Sequence, residues 1–221
     1  LLAPKQATFQ MEHALLQDPD LHGYTRLQIL SFDRLAEFIL SECQTSIKSI
    51  LSEEGRVMVI RSLLNQIKER LRIFHASTKL PGLAQELSRV IREFQQSRVS
   101  PQKILDLSLS DKLPARARHK LHDIGILFQE YQSWIQLKKL HDPDHLLDLA
   151  ADALRSSREL NTNIPVFQLG GLWMDGFASL TPQELNLLTL LAPLSNKTVL
   201  AFCADSFPEN EKEIFSIWLP V

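Results

Sequence analysis

The sequence predicts an α/β protein that is predominantly helical because a large helical insertion interrupts it. Short apolar segments typical of buried strands lie near both ends of the 221-residue chain, at residues 1–3, 27–30, 164–173 and 197–203. Between them, apolar side chains recur at helical spacing. The two α/β pieces are short for independent folds, so we predict one core of residues 1–40 and 164–221, with a helical insertion at residues 41–163.

The first α/β piece begins with Leu1–Ala3, which resembles the tail of a buried strand. Residues 5–17 suit a short helix, and Leu27–Leu30 fits a second strand. Ser31 is a good N-cap for a helix that we expect to run to about Leu51. Both ends of the chain are abrupt, so we expect a segment of a longer protein.

The insertion contains three apolar stripes with prolines between them, over residues 57–74, 83–94 and 121–135. Asp142 followed by Pro143 predicts an N-cap and a first helical position for one more helix, which runs to Leu154.

The second α/β piece starts with an apolar, glycine-bearing strand at residues 164–174. Thr181 and Glu184 form a capping-box pattern that opens a helix to about Leu191. A further strand at residues 197–203 and a final helix at residues 208–218 complete the predicted order.

Charge is distributed unevenly along the chain. Residues 56–120 carry 14 Lys and Arg but only five Asp and Glu, whereas the whole chain has a formal net charge of −2. A basic middle between acidic ends favours a segment that faces a polyanion. Solvated helix faces explain the same charges equally well, so charge alone leaves both interpretations open.

Composition excludes several classes of protein. With 44% hydrophobic residues the chain is too apolar for disorder, and no apolar run approaches the roughly 18 residues of a membrane helix. No secretory signal is visible. The two cysteines, Cys43 and Cys203, cannot make a disulfide framework or a four-cysteine cluster, which favours the reducing cytosol. No glycine-rich phosphate loop of the GxxxxGK[ST] or GxGxxG type occurs.

Three segments resemble motifs of the AddB/RexB family, the B subunits of bacterial ATP-dependent helicase–nucleases that process broken DNA ends. Residues 1–12, LLAPKQATFQME, are similar to motif Ia of superfamily 1 helicases of the UvrD/RecB type. Residues 28–36, QILSFDRLA, resemble the strand and Thr-Phe-His turn that follow that motif. Residues 173–185, WMDGFASLTPQEL, resemble the AddB form of helicase motif II and are the most specific of the three.

This resemblance implies an architecture and a set of partners. The α/β pieces would belong to a RecA-like (P-loop NTPase-type) domain 1A, incomplete because the phosphate loop is missing, and the insertion would be domain 1B. The parent family uses ATP with Mg²⁺ and an iron–sulfur cluster in a nuclease domain, and we expect this chain to hold none of these cofactors. The implied partners are an AddA/RexA-like motor–nuclease subunit and DNA, either single-stranded or a broken duplex end.

The segment similar to motif II lacks one catalytic residue. Active helicases have Asp-Glu there, in which the Asp positions Mg²⁺ and the Glu orients the attacking water. Here Asp175 is followed by Gly176, so we expect a degenerate motif and no ATP hydrolysis. A simple turn at the end of a strand explains the same two residues.

The resemblance also implies DNA-contacting residues in two loops beside the predicted sheet. The candidate residues are Lys5, Gln6, Thr8, Ser31, Phe32 and Arg34. Lys5 and Arg34 would contact phosphates, and Phe32 would either stack on a base or pack in the core. Asp33 departs from the pattern because active motors have His at that position.

A third group of candidate DNA contacts lies in the insertion. It comprises Lys112, Arg116, Arg118 and Lys120. No aromatic residue is interleaved with these cations, which favours phosphate contact over the recognition of bases.

Further on, the candidate metal ligands are His141, Asp142, Asp144 and His145, but Pro143 breaks the helical spacing of the two histidines. We therefore favour a helix cap and no metal site.

Together these features predict a helicase-like, motor-inactive fragment of the B subunit of an ATP-dependent DNA helicase/nuclease. It would guide single-stranded DNA during double-strand-break repair by recombination, in the cytoplasm and without membrane contact. The fragment is expected to have no catalytic residue of its own, whereas its parent protein would be one component of an ATP-dependent helicase/exodeoxyribonuclease. Two alternatives stay open: a working superfamily 1 ATPase whose phosphate loop lies upstream of Leu1, and a helical protein-interaction module without a DNA role.

Overall fold

The computed structural model describes residues 1–45, 49–159 and 168–202. The chain divides into two compact units. We call Leu1–Ser46 together with Leu146–Val221 the sheet unit, and Ile47–His145 the helical unit. Within the described residues, helices dominate and the only multi-residue strands form one small parallel sheet, so the predicted helix-rich α/β class is confirmed.

Eight α-helices and two strands occur in the described residues. The helices are α1 (Thr8–Leu16), α2 (Phe32–Glu42), α3 (Glu53–Gln66), α4 (Pro81–Gln96), α5 (Pro101–Ser108), α6 (Ala115–Lys138), α7 (Leu146–Glu159) and α8 (Pro182–Leu191). The strands are β1 (Leu172–Met174) and β2 (Thr198–Leu200). No helix in this part of the chain is long and apolar enough to cross a membrane.

The sheet of the sheet unit is parallel throughout. β1 pairs with β2, and Leu2 forms single-residue bridges to Met174 on one side and to Leu30 on the other. The spatial order is therefore Leu30, Leu2, β1, β2. The strand-like segments predicted near residues 1–3 and 27–30 each contribute one bridging residue, and residues 160–167 and 203–221, with the predicted final helix, lie outside the described residues.

Helix α2 ends earlier than predicted. Its last residue is Glu42, not a residue near Leu51, because Gln44 adopts a left-handed backbone with φ of 54°. The Thr45 N–H then donates to the Leu40 carbonyl at 2.8 Å, as in a Schellman cap. Glutamine gives no sequence signal for this conformation, which explains the difference between the predicted and the observed helix end.

Helix α7 belongs to the sheet unit, although the sequence pattern assigned it to the insertion at residues 41–163. It packs against both α2 and α8. The capping box that opens α8 is confirmed: the Glu184 N–H donates to Thr181 Oγ1 at 3.3 Å, and the Thr181 N–H donates to Glu184 Oε2 at 2.7 Å. Local polar signals therefore located this helix correctly.

The core of the helical unit forms where α3, α4, α5 and α6 pack together. The side chains that are most deeply buried come from all four helices: Ile60, Leu64, Ile91, Ile104, Leu127 and Phe128. The three apolar stripes of the sequence contribute their side chains to this core.

Candidate nucleic-acid interface

The carboxyl ends of the parallel strands bring the three motif-like segments of the sheet unit together. The Ala3 N–H donates to the Leu30 carbonyl at 3.0 Å, and the Asp175 N–H donates to the Leu2 carbonyl at 3.1 Å. Pro4, Ser31 and Asp175 therefore follow aligned strand positions. In open parallel sheets this edge is where ligands bind.

The loop after the first strand presents polar groups at this edge. Lys5 and Gln6 are exposed, and a backbone bond from the Ala7 N–H to the Pro4 carbonyl at 2.8 Å closes the turn. Thr8 begins α1, and its hydroxyl donates to the Lys5 carbonyl at 3.1 Å. Lys5 and Gln6 are thus placed for contact with a ligand, whereas Thr8 stabilises the loop.

The second segment separates into buried and exposed residues. Ser31 is buried and caps α2 by accepting the Arg34 N–H at 3.5 Å. Phe32 is only 4% exposed and packs edge-to-face on Phe177, with ring centroids 5.2 Å apart. The ring therefore has no open face for a base, and of the two alternatives left by the sequence the structure shows core packing. Arg34 is exposed.

The segment that resembles motif II forms a tight turn directly after β1. The Gly176 N–H donates to Asp175 Oδ1 at 2.7 Å, so this carboxylate is engaged by its own turn. Gly176 has φ of +82°, and a Cβ at this position would lie 3.3 Å from Pro4 Cδ. Any other L-residue here, the catalytic glutamate included, is strained by its backbone and crowded by the neighbouring loop.

The basic segment of the helical unit surrounds the start of α6. Lys112, Arg116 and Lys120 are exposed, and α6 begins without a side-chain cap or an acidic residue in its first turn. Arg118 differs because its guanidinium forms an ion pair with Asp111 at 2.8 Å. Three of the four predicted cations are therefore presented to solvent, and the fourth is partly committed within the unit.

The predicted cap at Asp142 is part of a buried polar network. Asp142 accepts the Asp144 N–H at 3.0 Å, the Tyr131 hydroxyl at 2.6 Å and the Gln95 amide at 3.1 Å. Arg56, which is 0% exposed, forms ion pairs with both Asp142 and Asp144. Burial raises the pKa of Tyr131, and the adjacent Asp142 carboxylate raises it further.

This network joins α3, α4 and α6 to the segment before α7, so its position indicates a structural role. Among the described residues, no group of three or more His, Cys, Asp or Glu side chains is placed to bind a metal ion. The sequence suggested the cap but not Arg56, which lies just before the apolar stripe of residues 57–74 and shares the buried face of α3. No local pattern identifies its partners, 86 and 88 residues away.

A second buried carboxylate was not predicted from the sequence. Asp123 on α6 is 0% exposed and accepts three backbone N–H groups, from Arg72 at 2.8 Å, Ile73 at 2.7 Å and Phe74 at 3.0 Å. The loop between α3 and α4 is thereby fixed to α6. An acidic residue on the apolar face of a helix is the one sequence signal for such a partner.

The fold is a helix-rich α/β unit whose sequence is interrupted by a helical unit, and family comparison says which proteins this chain resembles. The family model described as "ADDB, N-terminal" matches residues 1–218, so the chain belongs to the AddB N-terminal family. The predicted family is thus confirmed.

Relatives of this chain are named as the B subunit of an ATP-dependent helicase/deoxyribonuclease. The protein of Desulforamulus reducens is 33% identical over 97% of this chain, and that of Pelotomaculum thermopropionicum is 34% identical over 100% of it. A third, from Natranaerobius thermophilus, is 35% identical over 88% of the chain. The chain spans only 18%, 19% and 16% of the length of these three relatives.

Proposed function

We propose that this chain is the helicase-like, motor-inactive N-terminal part of the B subunit of an ATP-dependent DNA helicase/nuclease. It guides single-stranded DNA in a complex that repairs double-strand breaks by recombination in the cytoplasm. Its partner is an AddA/RexA-like motor–nuclease subunit. Membership of the AddB N-terminal family and the names of the relatives support this assignment.

The turn at Gly176 is the observation that carries the motor-inactive assignment. Phosphoryl transfer to water requires a residue that orients the attacking water, and the family of active motors uses a glutamate at this position. Here the position has a left-handed backbone and faces Pro4, so it disfavours a side chain. The remaining carboxylate, Asp175, is bonded to its own turn, and the sequence has no phosphate loop.

The residues at this edge of the sheet therefore do not suit the binding and hydrolysis of ATP with Mg²⁺. An iron–sulfur cluster has no four-cysteine site in a chain with two cysteines. In this proposal, other parts of the complex hold the cofactors, and this chain contributes a surface that contacts DNA.

The exposed cations supply the DNA contacts in this proposal. In the sheet unit these are Lys5 and Arg34, with Gln6 beside them as a hydrogen-bonding side chain. In the helical unit they are Lys112, Arg116 and Lys120, with Arg118 held by Asp111. Such contacts neutralise phosphates and position a strand without selecting its sequence.

ATP hydrolysis by the purified 221-residue chain tests the assignment. Phosphate release is measured with Mg²⁺, with and without single-stranded DNA, for the unaltered chain and for Asp175→Asn. We expect no turnover above the buffer background in any of these reactions. Turnover that Asp175→Asn abolishes would contradict the proposal and would favour a working superfamily 1 ATPase.

A further inference from the structure

The loop between α3 and α4 is fixed to one face of α6 at two points. Asp123 binds the backbone of residues 72–74 through three N–H groups. Arg70 Nη1 lies 2.6 Å from Glu130 Oε1. Because Glu130 follows Asp123 by seven residues, or two helical turns, both anchors lie on the same face of α6.

The same face continues toward the start of α6, where the exposed cations lie. Lys120 precedes Asp123 by three residues and Arg116 precedes it by seven, so both share the face that carries the anchored loop. Arg72, whose N–H is bonded to Asp123, is itself exposed. The loop thus places the Arg72 backbone within about one helical turn of Lys120 along α6.

Positive charge predominates on this face, and two of its acidic groups are already engaged. Residues 68–79 contain four Lys and Arg and one Glu. The Asp123 carboxylate is buried among backbone donors, and Glu130 is paired with Arg70. The exposed cations Arg72 and Lys79 therefore add to Arg116 and Lys120, and Glu69 is the exposed acidic residue of the loop.

The composition of the face suits phosphates better than bases or a protein partner. Phe74, the aromatic residue of the anchored segment, packs against the core of the helical unit. The side chains beside it at positions 72 and 75 are exposed nitrogen-bearing groups. A protein interface typically has a buried aromatic or apolar anchor at its centre, whereas phosphate contacts need only placed cations.

We propose that Arg72, Arg116 and Lys120 form one phosphate-binding surface for the backbone of single-stranded DNA, with Asp123 as the residue that positions Arg72. This inference rests on the proposed function and adds to it a loop that neither the motifs nor the family assignment points to. It predicts contacts that are independent of base sequence and strongly dependent on salt.

The test is a fluorescence anisotropy titration of the 221-residue chain with labelled single-stranded DNA over a range of salt concentrations. Each lost phosphate contact reduces the slope of log K against log salt by about 0.7. We expect Arg72→Ala and Lys120→Ala each to weaken binding and to flatten the slope by about this amount, and the double variant to flatten it by about twice as much.

Lys138→Ala is the matched control because Lys138 is an exposed cation on the same helix, 18 residues beyond Lys120 and about 27 Å along the axis. It should leave the slope unchanged. If Arg72→Ala behaves like Lys138→Ala while the unaltered chain binds, the surface is refuted and the proposed function stands. If the unaltered chain does not bind DNA at all, both fail.

Asp123→Asn separates positioning from charge. Removing a negative charge near a DNA site strengthens binding if only net charge matters. An asparagine leaves part of the loop backbone without an acceptor, so the positioning role predicts weaker binding with a flattened slope. Stronger DNA binding by Asp123→Asn, with its circular dichroism unchanged, would overturn the positioning role. If Asp123→Asn fails to fold, Arg72→Ala still tests whether the phosphate-binding surface exists.

Discussion

The two units hold their polar groups in different ways. In the sheet unit, the candidate site is built from exposed residues that follow short strands and are placed by backbone hydrogen bonds, such as that from Asp175 to Leu2. In the helical unit, buried carboxylates position the neighbouring groups: Asp123 fixes a loop, and Asp142 pairs with the buried Arg56, which also contacts the partly exposed Asp144. Replacing one exposed residue at a strand end can therefore remove a functional group without disturbing the fold. In the helical unit, by contrast, the positions of the surface cations depend on buried side chains.

This difference predicts the largest stability effect in the helical unit. Arg56→Met leaves the buried Asp142 carboxylate without its guanidinium partner, while Asp144 keeps its ion pair with Arg92. We expect this loss to lower the free energy of unfolding by about 3 to 5 kcal/mol. Urea unfolding followed by circular dichroism measures it. Arg89→Met is the control because Arg89 forms an exposed pair with Glu86 and should cost less than about 0.5 kcal/mol. Equal effects of the two variants would contradict the assignment of the network as a structural centre.

A smaller effect is expected at the strand ends of the sheet unit. Gly176→Ala adds a side chain where φ is +82° and Pro4 lies close, so we expect a loss of about 1 to 2 kcal/mol. Gly170→Ala has no atom within 4 Å of the added Cβ and should be close to neutral. A neutral Gly176→Ala in urea unfolding would show that the turn tolerates a side chain and would leave room for a glutamate at this position.

The smallest expected effect is on the pH dependence of the free energy of unfolding, through Glu184 in the cap of α8. Burial raises the pKa of Glu184, and the Asp33 carboxylate adds to the shift, while the cap bonds to Thr181 oppose it. The folded state therefore retains this proton more strongly than the unfolded chain, so the free energy of unfolding falls as pH rises above the ordinary glutamate pKa of about 4.3. Glu184→Gln should reduce the decline.

Urea midpoints at about pH 4 and pH 7 measure this decline. Glu86→Gln, an exposed site in the helical unit, should leave it as in the unaltered chain. A decline that is identical in Glu184→Gln and the unaltered chain would show that the buried cap does not contribute to the pH dependence.

Features that depend on neighbouring residues could be predicted from the sequence. The Thr181 capping box and the Ser31 cap are short polar patterns followed by apolar helices, and both occur as predicted. The apolar stripes of the insertion identified its core in the same way. By contrast, the end of α2 depends on the left-handed backbone of Gln44, a conformation that the residue type does not signal.

Features that join distant residues could not be predicted in this way. Arg56 contacts Asp142, which is 86 residues further along the chain, and Asp123 accepts the N–H of Arg72, 51 residues before it. No periodicity in the sequence predicts such contacts. The position of Phe32 was ambiguous for the same reason, because its partner Phe177 lies on another segment. Resemblance to a family identified the motifs, but packing decided which of their side chains remain at the surface.

The salt dependence of DNA binding by the unaltered chain tests whether this chain contacts DNA through phosphates. With the three contacts of the proposed surface, from Arg72, Arg116 and Lys120, log K for single-stranded DNA should fall linearly with log salt with a slope of about −2. Sequence changes in the DNA should leave this slope unchanged. No binding at about 20 mM salt, or a slope near zero, would contradict the account.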